Sequence, residues 1–183
     1  GDMVDTLFAD FKNRLNSAKK LKSKNFIPAI AIHSPYSVHP FLVRETLKLA
    51  REENLSVSSH FLESPEEFLW LHKDEGSFLD FFKNFLGQEK AVSKPMEFLN
   101  LFSNIKNLSF THCVEASVDD LEKIKSLGAS INHCVTSNRV LNNSKLDLTG
   151  FEYTLLSFFI KNPLKYYTLQ EISKSLYSDL KTD

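Results

Sequence analysis

The sequence predicts an α/β fold in which helices cover a parallel β-sheet. Short apolar runs alternate along the chain with longer segments whose apolar residues recur at helical spacing. Parallel neighbours need a crossover connection, and a helix between successive strands supplies it. The chain has 183 residues, of which 42% are hydrophobic, and this is enough for one ordinary domain with a core.

The first predicted element is a helix over residues 3–23, with lysines toward its end, where the helix dipole favours positive charge. Its apolar residues lie on one face: Val4, Leu7, Phe8, Phe11, Leu15 and Ala18. The run "FIPAIAI" predicts a first strand, closed by Ser34 and Pro35. The segment "PFLVRETLKLAREEN" predicts the helix that completes this first strand, loop and helix unit.

Three further units follow the first. "LSVSSHFLES" repeats the strand and loop, and "PEEFLWLHKD" opens a helix with proline and acidic residues in its first turn. "LSFTHCVEAS" and "VDDLEKIKSLG" form a third unit whose helix ends at Gly128, and "ASINHCVTSN" begins a fourth. Residues 76–107 predict an inserted helical stretch, and we expect its phenylalanines to serve packing.

A polar or ionisable cluster follows each of the four apolar runs. The clusters are His33, then His60 with Glu63, then His112, and then His133 with Ser137 and Asn138. The carboxyl ends of parallel strands are the face on which sheets and barrels of this class build their chemistry. One histidine at a strand end is more often structural than a ligand. Four of the six histidines at equivalent strand ends favour a functional site.

The composition excludes several classes of protein. The formal net charge is -1, so no global electrostatic field draws the chain to nucleic acid or to an anionic membrane. The longest apolar runs fall short of the roughly 20 residues that span a bilayer, and the acidic N-terminus does not match a signal peptide. The two cysteines, Cys113 and Cys134, form no C-x-x-C motif. We therefore expect a cytoplasmic protein without a membrane partner.

Four motifs resemble the amidohydrolase superfamily in their order and spacing. They are "AIHSPYSVHP", "SSHFLES", "FTHCVEAS" and "GASINHCVTSNRVL". In the chlorohydrolase and nucleoside-deaminase branch the corresponding pattern runs H-x-P-Y, H-x-x-E, A-H-C-V and H-x-P-x-S-N. The resemblance covers residues 4–148. Within the branch, "AIAIHSPYSVHP" and "SNRVLNN" are most similar to the aminofutalosine deaminases of menaquinone biosynthesis.

The resemblance implies a TIM (β/α)8 barrel, of which the four predicted strands are strands four to seven. It also implies a metal-dependent deaminase that removes the exocyclic amine of an adenine-like nucleoside, with Zn²⁺ or Fe²⁺ as cofactor. His60 and His112 are metal ligands by this resemblance, Glu63 is the catalytic acid/base, and His112 also orients the attacking water. Four residues are implied to contact substrate or line its pocket: His33, His133, Ser137 and Asn138. Val135 departs from the pattern, which has proline there.

The chemistry of the residues agrees with this division of roles. A catalytic zinc site takes about three protein ligands, and a carboxylate beside the attacking water can carry its proton to a poor leaving group such as ammonia. For a lone H-x-x-E motif another interpretation stays open. Glu63 and the acidic residues after it could simply supply negative charge to a helix N-terminus.

The chain departs from the family pattern at both ends of the barrel. It contains no H-x-H pair, which the first strand of the barrel carries, and no counterpart of the aspartate on the eighth strand. His60 and His112 alone are too few to hold zinc tightly. We therefore expect a catalytically incomplete barrel whose open sheet edges invite homo-oligomerisation.

Residues 146–179 resemble the start of the winged-helix domain of OmpR-type response regulators. Two helices are predicted there, the second capped by Thr168. We place a domain boundary after residue 148, with a helical segment over 149–183. No recognition helix follows, so sequence-specific DNA binding is not expected from this segment. A helical hairpin that caps the open sheet is an equal alternative.

Three functional hypotheses remain on the sequence alone. The first is a deaminase that takes a small nucleoside substrate. The second is a response-regulator-like module that binds DNA, against which the near-neutral charge argues. The third is a non-catalytic α/β protein that acts by oligomerisation.

Overall fold

Four parallel strands and seven helices make up residues 2–140, which are the residues that the computed structural model describes. In chain order the elements are α1 Asp2–Lys20, β1 Ile30–Ile32, α2 Pro40–Glu53, β2 Val57–Phe61, α3 Pro65–Lys73, α4 Ser77–Leu86, α5 Pro95–Asn100, β3 Leu108–His112, α6 Val118–Ser126, β4 Ser130–Asn132 and α7 Val135–Val140. The strands lie in the order β1-β2-β3-β4, and every pairing is parallel. The predicted parallel sheet is therefore confirmed.

The helix that follows each strand lets the next strand enter the sheet in the same direction. Proline occupies the first turn of α2, α3 and α5, where its missing N–H and its fixed φ are tolerated. Gly87 ends α4 in the left-handed conformation that favours glycine. Gly128 follows α6 with a φ of 67°, and this agrees with the predicted helix end.

Alternate side chains of the two central strands point into the hydrophobic core. Val57, Ser59 and Phe61 of β2 are buried, and the side chains between them are only half-buried. In the pairing register His112 of β3 lies opposite Phe61, and His60 lies opposite Thr111. Alternation alone would therefore direct His112 away from His60. The φ of His112 is 73°, so the regular strand geometry ends at this residue.

Aromatic rings from the inserted segment complete the core. Phe98 of α5 stacks on Phe61 of β2, with ring centroids 6.3 Å apart. Phe102 meets both Phe98 and Phe110 edge-on at 4.9 and 5.1 Å. Trp70 of α3 is fully buried. The prediction that phenylalanines of residues 76–107 serve packing is thus confirmed for α5 and the turn after it.

The phenylalanines of helix α4 serve packing only in part. Phe82 is buried and stacks on Trp70 at 5.1 Å. Phe81 and Phe85 are 57% and 75% exposed, and they stack on each other at 5.6 Å. The packing interpretation is therefore wrong for these two residues, because they lie on the outer face of the helix.

Two further expectations concern the rest of the chain. No helix within residues 2–140 is long and apolar enough to cross a membrane. The predicted boundary after residue 148 and the winged-helix likeness of residues 146–179 lie outside the described residues.

Candidate active site

Three histidine rings form a row at the carboxyl ends of β1, β2 and β3. His33 follows β1, His60 lies near the end of β2, and His112 is the last residue of β3. The ring centroids of His33 and His60 are 5.4 Å apart, and those of His60 and His112 are 5.3 Å apart and stacked. His133 follows β4 at the same edge of the sheet. Three of the four strand-end histidines therefore lie next to one another.

Backbone carbonyls fix the orientation of two of these imidazoles. The Nδ1–H of His60 donates to the carbonyl oxygen of His33 at 2.9 Å. The Nδ1–H of His133 donates in the same way to the carbonyl of His112 at 3.1 Å. Because a carbonyl can only accept, each neutral ring carries its proton on Nδ1 and leaves Nε2 as an acceptor. Histidines that ligate metals are held by this kind of contact.

His112 lies between an amide and a carboxylate. Its Nδ1–H donates to Asn138 Oδ1 at 2.7 Å, and its Nε2 lies 3.4 Å from Glu63 Oε1. With the ring proton on Nδ1, neutral His112 presents a lone pair to the carboxylate of Glu63. The two groups attract each other only when a further proton resides on Nε2 or on the carboxyl group. The contact thus brings an imidazole nitrogen and a carboxylate oxygen to 3.4 Å from each other.

The loop between β2 and α3 carries Glu63. Leu62 has a φ of 47° and turns the chain at the end of β2. Glu67 lies in the first turn of α3, and its carboxylate accepts the backbone N–H of Leu62 at 3.1 Å and that of Glu63 at 2.9 Å. Burial raises the pKa of Glu67 from its ordinary value of 4.5 to about 7.

A cluster of hydroxyl groups surrounds His33, whose ring is exposed. Ser37 Oγ lies 2.6 Å from His33 Nδ1, and Ser34 Oγ lies 3.1 Å from the same nitrogen. Tyr36 meets the ring edge-on at 5.8 Å. Burial raises the pKa of Tyr36, so its phenol stays protonated. His33 therefore presents the rest of its ring to solvent, beside the protonated phenol of Tyr36.

The residues predicted on the fourth unit separate in the structure. His133 and Ser137 are exposed, and Ser137 lies on α7. Asn138, on the same helix, is fully buried, and the described contact of its side-chain oxygen is with His112. Helix α7 was not predicted. Its short sequence "VTSNRV" lacks the apolar spacing that indicates a helix.

The two cysteines are not part of this constellation. Both are free and half-buried. Burial raises the pKa of the Cys113 thiol to about 12, so it is not a thiolate near neutral pH.

The described residues fit only part of a catalytic metal site. The Nε2 atoms of His60 and His112 are the candidate ligand atoms, since both Nδ1 atoms are engaged. Within residues 2–140 no three histidine, cysteine, aspartate or glutamate side chains are placed to hold one ion. A catalytic zinc takes about three protein ligands, and the described residues offer two candidates, His60 and His112.

Glu67 is a residue of the site that the sequence analysis missed. Ser64 and Glu67 stand in the S-x-x-E pattern that marks helix starts, and this was the available signal. The pattern predicts a capping box, in which the glutamate bonds the N-cap residue. It does not predict that the carboxylate reaches back to the loop that carries Glu63.

Comparisons with known proteins agree with the motif pattern. A family model described as the amidohydrolase family matches residues 5–149. The aminodeoxyfutalosine deaminase of Nitratiruptor sp. is 43% identical over 145 residues, which are 79% of this chain and 36% of that protein. This chain therefore spans about a third of the length of this relative.

Solved structures give the same result for the fold. The aminofutalosine deaminase of Helicobacter pylori, in complex with methylthio-coformycin, superposes with a TM-score of 0.72 at 29% identity, over 78% of this chain and 36% of that chain. An adenosine deaminase from Xanthomonas campestris with bound Zn superposes with a TM-score of 0.54 at 19% identity, over 74% of this chain and 28% of that chain. The predicted α/β fold, as part of the TIM barrel of such deaminases, is confirmed.

Proposed function

The chain belongs to the amidohydrolase family, and we propose that it provides the general acid/base and part of the metal site of a nucleoside deaminase. The reaction replaces the exocyclic amine of an adenine-like ring by oxygen from water and releases ammonia. The observation that carries the proposal is the contact between Glu63 Oε1 and His112 Nε2 at 3.4 Å, beside the ring of His60.

Glu63 moves the proton in this proposal. Its carboxylate takes a proton from the water that attacks the amine-bearing carbon, and it then gives this proton to the leaving nitrogen. The carbon–nitrogen bond breaks, ammonia leaves, and the ring carbon keeps the oxygen. Glu63 is suited to this because its side chain is 26% exposed, so it is reachable from the strand-end face but partly shielded from water.

His112 orients the reacting groups. Asn138 holds its Nδ1–H, so Nε2 is free to exchange a proton with Glu63 or to bind the metal. Asn138 is buried, and we place it as a positioning residue that acts through His112.

The metal would be held by Nε2 of His60 and of His112, together with ligands outside the described residues. A divalent ion such as Zn²⁺ lowers the pKa of water and so supplies the nucleophile at neutral pH. Metal dependence is typical of the family. Zn²⁺ and Fe²⁺ both accept imidazole and carboxylate ligands, so the residues present favour neither ion.

The remaining predicted residues are proposed to contact the substrate. His33, with Ser34 and Ser37 against its Nδ1, offers ring and hydroxyl hydrogen bonds to a polar nucleoside. His133 and Ser137 are exposed at the neighbouring strand end. The names of the two relatives that are 43% and 29% identical favour an aminofutalosine-type substrate, and with it a place in menaquinone biosynthesis.

The two alternatives are not favoured. A response-regulator-like DNA-binding module would need a basic surface, and the formal net charge is -1. A purely oligomerising protein would not need a buried amide to hold a strand-end histidine against a carboxylate.

Ammonia release tests the proposal. The full-length protein is loaded with Zn²⁺ and incubated with aminodeoxyfutalosine and, separately, with adenosine. We expect one ammonia per nucleoside consumed, a matching change in ultraviolet absorbance, and loss of activity after chelation. Failure to release ammonia from either nucleoside at full metal occupancy would overturn the proposal.

A further inference from the structure

We infer that Glu67 is a positioning residue that sets the direction of the Glu63 side chain, an inference that rests on the acid/base role proposed for Glu63. Glu67 Oε1 accepts the N–H of Leu62 and Glu67 Oε2 accepts the N–H of Glu63, at 3.1 and 2.9 Å. One carboxylate thus holds both peptide groups that lead from the end of β2 to the catalytic side chain.

The loop needs such an acceptor because of its backbone conformation. Leu62 is fully buried with a φ of 47°, a conformation that is strained for a bulky residue. Successive N–H groups around a left-handed residue converge into a concavity that binds an anion. Without the carboxylate, the N–H of Leu62 would be buried without a partner. The carboxyl group of Glu67 occupies this concavity.

A helix cap alone does not explain Glu67. In an ordinary capping box the third helical residue bonds the backbone of the N-cap residue. Asp120, at the same position of α6, does so: its Oδ2 accepts from the N–H of Ser117 at 2.9 Å and from the Ser117 hydroxyl at 2.6 Å. The carboxylate of Glu67 instead reaches past Ser64 to the two residues before it.

The burial of Glu67 agrees with its role as the acceptor of these two N–H groups. The residue is 2% exposed, and burial together with the nearby charge of Glu63 disfavours its ionised form. A buried carboxylate costs free energy unless its oxygens accept hydrogen bonds, and the described donors to Glu67 are these two N–H groups. A carboxylate retained here serves the two N–H groups that it binds.

The substitution Glu67→Gln separates positioning from substrate binding. Glutamine has one oxygen in place of two, so one of the two N–H groups faces an amide that cannot accept its bond. We expect kcat for the deamination to fall about 10- to 100-fold, because a small misplacement of a catalytic group has an effect of this size. We expect KM to stay within twofold. An unchanged kcat in a folded Glu67→Gln variant would overturn the inference.

Asp120→Asn is the matched control. It changes a carboxylate of equal burial at the same helix position, but one whose bonds stay within its own helix start. We expect Asp120→Asn to alter stability without lowering kcat. Equal losses of kcat in both variants would show that a merely structural role explains Glu67.

A second readout does not depend on activity. In NMR spectra of the labelled protein, we expect nuclear Overhauser contacts between the Glu63 γ-protons and the His112 ring in the wild type and in Asp120→Asn. We expect them to be lost in Glu67→Gln. If this pattern appears in a protein that releases no ammonia, the proposed function fails and the positioning role of Glu67 stands. If the contacts persist in Glu67→Gln, the positioning role fails whatever the activity.

If Glu67→Gln does not fold, the positioning role of Glu67 is tested in the wild-type protein. Scalar coupling across the hydrogen bonds is expected between the carboxyl carbon of Glu67 and the amide nitrogens of Leu62 and Glu63. Absence of both couplings would overturn the inference.

Discussion

The loops that follow β2 and β3 carry the same motif and use it differently. Each strand has a histidine as its last or next-to-last residue, followed three residues later by a glutamate, as His60 with Glu63 and His112 with Glu115. Each loop passes through a left-handed residue and enters a helix that is capped by serine. The side chain of Glu63 is 26% exposed and its carboxylate lies against His112, whereas Glu115 is buried, with 6% of its surface exposed.

The difference arises at the start of the two helices. In α6 the carboxylate of Asp120 closes on its own N-cap, Ser117, and the helix start is self-contained. In α3 the corresponding carboxylate of Glu67 is used by the loop, and it holds Glu63 toward His112. The two loops therefore differ in the use of one buried carboxylate, which binds the loop at the start of α3 and its own N-cap at the start of α6.

The largest effect is expected from Glu63→Gln, compared with the equivalent change in the other loop. Glu63→Gln removes the group that carries the proton, and general acid/base catalysis contributes about 10²- to 10⁴-fold. We expect kcat/KM for deamination to fall by that factor. Glu115→Gln is the matched change in the other loop, and we expect it to affect stability rather than the rate of the chemical step. Equal losses of kcat/KM in two folded variants would contradict the distinction between the loops.

The next effect concerns the free energy of unfolding as a function of pH. Glu67 has a pKa of about 7 in the folded protein and an ordinary value of 4.5. Between these values the unfolded chain has released the proton and the folded protein retains it, so stability falls as pH rises from 4.5 to 7. The shift corresponds to about 3 kcal/mol. Above pH 7 the contribution of Glu67 no longer changes.

Urea unfolding at several pH values between 4.5 and 8 measures this effect. Glu63, Tyr36 and Cys113 face the Glu67 carboxylate, and all three are unchanged in the variant Glu67→Gln. The fall in stability between pH 4.5 and 7 should be smaller in Glu67→Gln by about 3 kcal/mol, and should persist in Asp120→Asn. A Glu67→Gln variant with the wild-type pH dependence would show that another group titrates.

Much of the fold was predictable because it follows from periodicity. Strands such as "LSFTH" and helices such as "PFLVRETLKLAREE" repeat apolar residues at the spacing of their own geometry. The parallel sheet follows from their alternation. The motif pattern also predicts that His60 and Glu63 belong to one site.

The detailed geometry of the site was not predictable, because it depends on single dihedral angles and long-range contacts. The pairing register places His112 opposite Phe61. The regular strand geometry ends at the left-handed φ of His112, and the His112 ring stacks on the ring of His60. Asn138 meets His112 across 26 positions of sequence. Periodicity carries no information on either feature. Spacing alone also cannot distinguish Glu63 from Glu115, which follow their histidines at equal distance.

The smallest effect tests how far the two helix starts differ in their caps. Ser64 Oγ accepts the N–H of Glu67 at 3.2 Å, and Ser117 Oγ accepts the N–H of Asp120 at the same distance while its hydroxyl also donates to the Asp120 carboxylate. Loss of a serine N-cap costs about 0.5–2 kcal/mol. We expect Ser64→Ala to lie near the lower end and Ser117→Ala near the upper end, because only the latter removes a donor from a buried carboxylate.

Threonine retains the hydroxyl, so Ser64→Thr and Ser117→Thr should each recover most of the lost stability in thermal unfolding. The two alanine variants should also differ in activity. Ser64→Ala leaves both bonds from Glu67 to the loop in place, so kcat should change by less than the 10- to 100-fold expected for Glu67→Gln. If Ser64→Ala lowered kcat as much as Glu67→Gln, the start of α3 as a whole would hold Glu63 in position. The contrast with α6 would then lie in the helix rather than in one carboxylate.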